Sequence, residues 1–128
     1  MKADGHRFRV LPGAYAVCRL APGAASPRWA VGDFVSVTTT AEEVSVICAA
    51  THVPAEVIAE RDWRVLQVIG PLPFTAVGVL AALAAPLAKA DLSLLAVATY
   101  DTDYLLVKAA ALDAARSVLA AAGHTAVD

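Results

Sequence analysis

Cysteine is nearly absent: Cys18 and Cys48 are the only two in 128 residues. They form no CxxC pair, which argues against zinc-ribbon or thioredoxin-type chemistry. Each lies in an apolar, β-branched run, where a free thiol behaves as a small hydrophobe. A disulfide framework is therefore not expected, and a reducing compartment fits. Charge is also scarce, at 17 % of residues, with 10 Lys and Arg against 12 Asp and Glu. The chain has no basic excess with which to hold phosphates, so nucleic acid is not expected as a partner. Its one basic cluster, Lys2, His6, Arg7 and Arg9, reads as the solvated start of a first strand. The three histidines, His6, His52 and His124, are scattered without metal-ligand spacing. No G-x-S-x-G, Walker loop or dinucleotide fingerprint occurs. Neither an enzyme nor a cofactor or metal is expected on these grounds. The N-terminus shows no apolar signal core, so the expected location is the cytoplasm.

Hydrophobic residues are abundant, at 59 %, against about 45–50 % in ordinary soluble domains. Such an excess asks for a membrane or a buried partner surface. Val65–Ala88 carries no charge, but Gly70, Pro71, Leu72 and Pro73 interrupt it. The remainder, Phe74–Ala88, falls short of the roughly 20 residues a span requires. The stretch reads as a strand followed by a helix packed on a sheet, with no membrane segment.

The chain resembles itself. Residues 35–50, VSVTTTAEEVSVICAA, align without a gap on 95–110, LAVATYDTDYLLVKAA, at an offset of sixty. Each half of the comparison has an apolar strand, a polar tip and a second apolar strand. This alignment sets Glu43 on Asp103, and Glu42-Glu43 reads as a solvated tip. Upstream, 15–20 aligns with 63–68. The second copy reads as strand, helix, strand, strand, helix, strand, the split βαβ order. Its strands are expected at 64–69, 92–99, 104–108 and 124–127. Its first helix spans Thr75–Lys89, with Leu80, Leu83 and Leu87 on the buried stripe and Pro86 disturbing its last turns. Leu112, Ala115, Leu119 and Ala122 line the second helix, and Gly123 ends it. The first copy is degenerate. Ala24–Ala30 offers at most a helical turn, and Val53–Glu60 is expected to be a short second helix opened by Pro54. The predicted fold is α+β: two ferredoxin-like βαββαβ units, 1–62 and 63–128, with antiparallel sheets and helices on one face.

Three segments carry a family resemblance: 70–80, GPLPFTAVGVL, with LAAPLA at 83–88; 98–107, ATYDTDYLLV; and 34–47, FVSVTTTAEEVSVI. They resemble the tandem ACT proteins, related to the animal cytosolic arginine sensors and their short bacterial relatives. The resemblance covers nearly the whole chain, which corresponds to one half of such a sensor. It implies a regulatory module that binds an amino acid or a similar small effector and pairs side by side into a homodimer. Where the sensors carry acidic residues before the long helix, this chain has Pro73, Thr75 and Ala76, and the identity of the ligand is left open.

The start of the long helix is the candidate pocket wall. Its first N–H groups lack intrahelical partners and suit a carboxylate. Phe74 and Thr75 lie at that end, and Gly78 permits close approach. Against this stands an ordinary helix start with Gly78 packed on a strand. Asp103 suits an ammonium group, and the resemblance implies a ligand contact for it. A plain polar turn through Asp101, Thr102 and Asp103 accounts for it equally well. Thr99 and Tyr100 are weaker candidates beside them. The competing function is a structural dimerisation or adaptor module whose pocket stays empty.

Overall fold

A computed structural model describes residues 5–128; Lys2 of the basic cluster lies outside the described residues. Among the described residues, eight strands and two α-helices follow in the order β1 (Arg7–Val10), β2 (Tyr15–Leu20), β3 (Ser36–Thr39), β4 (Val44–Ala49), β5 (Ile58–Val68), α1 (Val79–Lys89), β6 (Leu95–Ala98), β7 (Asp103–Lys108), α2 (Leu112–Ala121) and β8 (Thr125–Val127). Single 3-10 turns follow β4 and β7, at Ala50–His52 and Ala109–Ala111. The fold is α+β and ferredoxin-like. No helix among the described residues is long and apolar enough to cross a membrane.

The chain groups into two compact units, Gly13–Trp63 and the residues up to Pro12 together with Arg64–Asp128. The repeat places the first strand with the first copy. It groups instead with the second, because β1 hydrogen-bonds antiparallel to the second half of β5, with Phe8 opposite Val68 and Val10 opposite Leu66. On its other side β1 pairs with β8, and this pair is parallel. The expected all-antiparallel sheet is thus modified by an inserted strand: β8 still runs opposite to β5, so it runs along β1. In this unit β7 pairs with β5 and β6. Residue 98 of β6 faces 103 of β7.

Both helices of this unit pack on its core. Leu83 and Leu87 of α1 and Leu112, Ala115 and Leu119 of α2 join Phe8, Leu66, Val68, Leu105 and Val107 in one apolar cluster. Leu80 departs from the expected stripe and is 39 % exposed. The reason is the helix start. Gly78 takes a left-handed backbone conformation, φ 80°, and α1 begins at Val79 rather than Thr75. Leu80 therefore sits in the first turn, at the rim. Asp91 (φ 62°) turns the chain out of α1, and Gly123 (φ 97°) follows α2.

In Gly13–Trp63, β4 pairs with β2 and β3, and β2 with the first half of β5, all antiparallel. The β3–β4 turn is tied by Thr40, whose hydroxyl accepts the N–H groups of Glu42 and Glu43. Ala16, Cys18, Val44, Val46, Cys48 and Val53 form the core. Both cysteines are free and buried, as their apolar runs led one to expect. The helix expected over Val53–Glu60 does not form. Pro54 supports only a turn, with the Val57 N–H donating to its carbonyl. Ile58, Ala59 and Glu60 pair with β2 instead, a conformation that suits β-branched Ile58.

The self-alignment also shifts. Ser36–Thr39 and Leu95–Ala98, like Val44–Ala49 and Asp103–Lys108, begin fifty-nine positions apart, not sixty. Val44, not Glu43, is then the counterpart of Asp103.

Candidate functional site

A cavity of about 430 Å³ lies between the start of α1 and the turn joining β6 to β7, lined by residues 72–74, 76, 78–81 and 98–103. Its size falls in the range of about 300–1,000 Å³ usual for small-ligand sites. Two hydrogen bonds hold its walls together. The Leu72 N–H donates to the Asp101 carbonyl at 2.7 Å. The Thr102 hydroxyl donates to the Val68 carbonyl, also at 2.7 Å. The first fastens the loop after β5 to the β6–β7 turn; the second fastens that turn to β5. A side chain at Gly70 would meet the Asp101 carbonyl at 2.9 Å and the Thr102 side chain at 3.1 Å, so glycine is what lets the two segments approach.

The turn is tight because Thr99 and Thr102 bond each other. The Thr99 N–H donates to the Thr102 carbonyl at 2.8 Å, and the Thr99 hydroxyl donates to the same oxygen at 3.0 Å. Both threonine hydroxyls are thereby engaged with backbone. The polar side chains free to meet a ligand are the carboxylates of Asp101 and Asp103 and the hydroxyl of the exposed Tyr100. Among the described residues, no Lys, Arg or His lines the cavity.

The opposite wall is the first turn of α1. Gly78 stands at its N-cap without any side-chain cap. The first helical bond runs from the Ala82 N–H to the Gly78 carbonyl, so the N–H groups of Val79, Leu80 and Ala81 precede the helical ladder. All three residues line the cavity. Across the mouth, Phe74 and Tyr100 meet edge to face, with ring centroids 4.9 Å apart and planes at 89°.

Of the six residues singled out from sequence, Phe74, Gly78, Thr99, Tyr100 and Asp103 line this cavity; Thr75 does not. Thr75 was placed on the first helical turn, and the later helix start leaves it on the preceding loop. Sequence reasoning did not single out Leu72, Asp101 and Thr102 as site residues. Thr102 is 4 % exposed. Neither helical nor strand periodicity marks a buried threonine inside a polar tip, so no local signal identified it.

A second hollow, of about 400 Å³, shares Ala76, Gly78 and Val79 with the first and is lined by His6 and His124. His124 is occupied on both ring nitrogens by protein groups, which assigns it to structure.

These features define a ferredoxin-like domain with a small-molecule-sized cavity at a helix start. A family model described as an ACT domain matches residues 58–121, and a model of an N-terminal domain matches 13–56. The chain belongs to the ACT domain family. A crystal structure of a protein from Agobacterium tumefaciens superposes with a TM-score of 0.92 at 32 % identity, covering 98 % of this chain and 94 % of that one. A Vibrio cholerae protein of unknown function, described as a possible transport protein, superposes at 0.73 with 20 % identity, covering 92 % and 90 %. The regulatory subunit of aspartate kinase from Thermus thermophilus shares the fold at 0.60 and 14 % identity, covering 89 % and 97 %. No curated protein sequence matches the chain.

Proposed function

We propose that the chain is a regulatory module that binds an amino acid, and that the cavity between α1 and the β6–β7 turn receives it. One observation carries this reading: Phe74, Gly78, Thr99, Tyr100 and Asp103, drawn from two separate segments, converge on a single cavity. An α-amino acid is a zwitterion, and the cavity is built with the matching polarity. The uncapped N–H groups of α1 suit its carboxylate. The carboxylate of Asp103 suits its ammonium. The likeness in fold to a regulatory subunit of aspartate kinase supports a regulatory role, as does the resemblance of 98–107 to the tandem ACT sensors. No catalysis is assigned to the site, and its setting is the cytoplasm.

The module acts as a homodimer in this reading. Val77 is 95 % and Leu95 37 % exposed, and among the described residues β6 is an uncharged strand that pairs with β7 alone. Such edges favour association. A ligand bound near the contact between copies would strengthen it, and by linkage association would raise ligand affinity.

Calorimetry with the twenty amino acids tests the reading. At least one binds the wild-type chain, and Asp103→Ala loses most of that binding while keeping its melting temperature. Unchanged affinity in Asp103→Ala removes the residue from the site. Light scattering at micromolar concentration should report twice 13.2 kDa; a strictly monomeric species removes the dimer. A purely structural pairing module would dimerise and bind no amino acid.

A further inference from the structure

We infer that the site selects a neutral amino acid with an aromatic or branched apolar side chain, seated in the corner between Phe74 and Tyr100. The inference rests on the amino-acid reading above and adds the class of side chain.

Once the ligand's carboxylate and ammonium are placed at the α1 N–H groups and at Asp103, the rest of the wall must accept its side chain. That wall is largely apolar: Leu72, Pro73, Leu80 and Ala98 line it beside the two rings. An acidic side chain finds no Lys, Arg or His among the described lining residues and meets the carboxylate of Asp101. A cationic side chain has Asp101 to pair with, but Asp101 is solvent-exposed. Ion pairs of that kind contribute little, because water screens them. Burial of apolar surface is therefore the stronger source of affinity for a side chain at this wall.

The aromatic pair shows where that burial would occur. Phe74 and Tyr100 come from opposite walls and touch at a right angle. Phe74 is 76 % and Tyr100 80 % exposed, whereas the aromatic side chains of Phe8, Tyr15, Phe34 and Trp63 are buried. Two perpendicular rings leave a corner between them, and both line the cavity; a further ring or branched group in that corner would make face and edge contacts at once. A bound apolar side chain would cover surface that the free protein leaves in water. It would also tie the loop before α1 to the β6–β7 turn.

Isothermal calorimetry on the full chain with phenylalanine, leucine, arginine and glutamate separates the possibilities. Phenylalanine or leucine should bind at least about tenfold more tightly than arginine or glutamate, a margin that one apolar pocket can supply. Phe74→Ala and Tyr100→Ala should each erase most of that margin. Both residues are exposed, so neither change should impair folding, and an unchanged thermal midpoint checks this. Arginine or glutamate binding as tightly as phenylalanine, or a margin that survives both substitutions, overturns the inference while the amino-acid reading stands. Failure of all twenty amino acids to bind removes that reading and this inference with it.

Discussion

His124 donates its Nε2 proton to the carbonyl oxygen of Ala82 at 2.9 Å. That carbonyl lies four residues before Pro86, which sits inside α1 and has no N–H to offer it. The imidazole thus supplies the hydrogen bond that the helix lacks. The tautomer follows from chemistry: Nδ1 accepts the backbone N–H of His6 at 3.0 Å, so the proton is on Nε2. His6 stacks its own ring on the other, with centroids 5.6 Å apart.

Replacing His124 by Phe keeps a planar ring, somewhat larger, and removes both bonds. His124 is only 6 % exposed, and each buried group left unpaired costs about 1–3 kcal/mol. Urea denaturation should show a loss of that order for His124→Phe. The loss should be smaller when position 86 carries alanine, whose N–H can bond the Ala82 carbonyl. Strict additivity of the two substitutions would disprove the relationship.

The first turn and the middle of α1 should respond differently to truncation. Leu83 is 1 % exposed and Leu80 39 %. Leu83→Ala should cost about 2–5 kcal/mol. Leu80→Ala should cost less than half as much, since much of its side chain already meets water. Equal losses would mean that Leu80 is packed as deeply as Leu83.

Alkaline pH should destabilise Gly13–Trp63 selectively. Burial holds the Cys48 thiol up at about 11, against an ordinary 9.0. Burial likewise raises Cys18 and Tyr15. A raised acid binds its proton more tightly folded than unfolded, so stability is intact below pH 9 and declines as pH rises toward 11. For Cys48 the decline amounts to roughly 2–3 kcal/mol at the upper end. Urea midpoints measured between pH 7 and 11 should fall, and should fall less steeply in Cys48→Ala. At neutral pH both thiols should resist a disulfide reagent until the chain unfolds.

Tyr15 is 1 % exposed, and its hydroxyl accepts the N–H of Phe34 at 3.2 Å. Tyr15→Phe removes that bond and should cost about 0.5–1.5 kcal/mol. Gly32→Ala should destabilise the same place: its φ is 145°, and a methyl there would lie 3.0 Å from the Ala49 side chain. Thermal unfolding of both variants checks this, and wild-type midpoints would refute it.

Thr75 provides the control for the site. It lies outside the cavity lining, so Thr75→Ala should bind as wild type does in the calorimetric titration. Gly78→Ala introduces no clash, but a side chain at φ 80° is strained by about 1 kcal/mol. A small stability loss is expected there, and any change in affinity would report on the first turn of α1.

Local spacing was sufficient for much of the architecture. The run Tyr15–Leu20, the two hairpins, and the stripes Leu83–Leu87 and Leu112–Leu119 each carry their period in neighbouring residues. A polar tip between two apolar strands located the β6–β7 turn, and a helix start opposite it suggested most of the site. Other features depend on residues far apart in the chain, which no window of sequence contains. The insertion of β1 between β5 and β8 was decided by backbone partners more than fifty residues away. Pairing with β2 converted Ile58–Glu60 from an expected helix to strand. Over residues 35–50 the offset of sixty gives four identities and fifty-nine only two, so in a chain this rich in alanine and valine identity favours the wrong register. Only the ladder shows which is right, because a one-residue slip turns every side chain to the other face. The bonds that close the cavity, from Leu72 to Asp101 and from Thr102 to Val68, and the bond from His124 to Ala82 arise only when distant segments meet. Sequence determined the elements and the chemistry at their ends; tertiary structure decided which of those ends face one another.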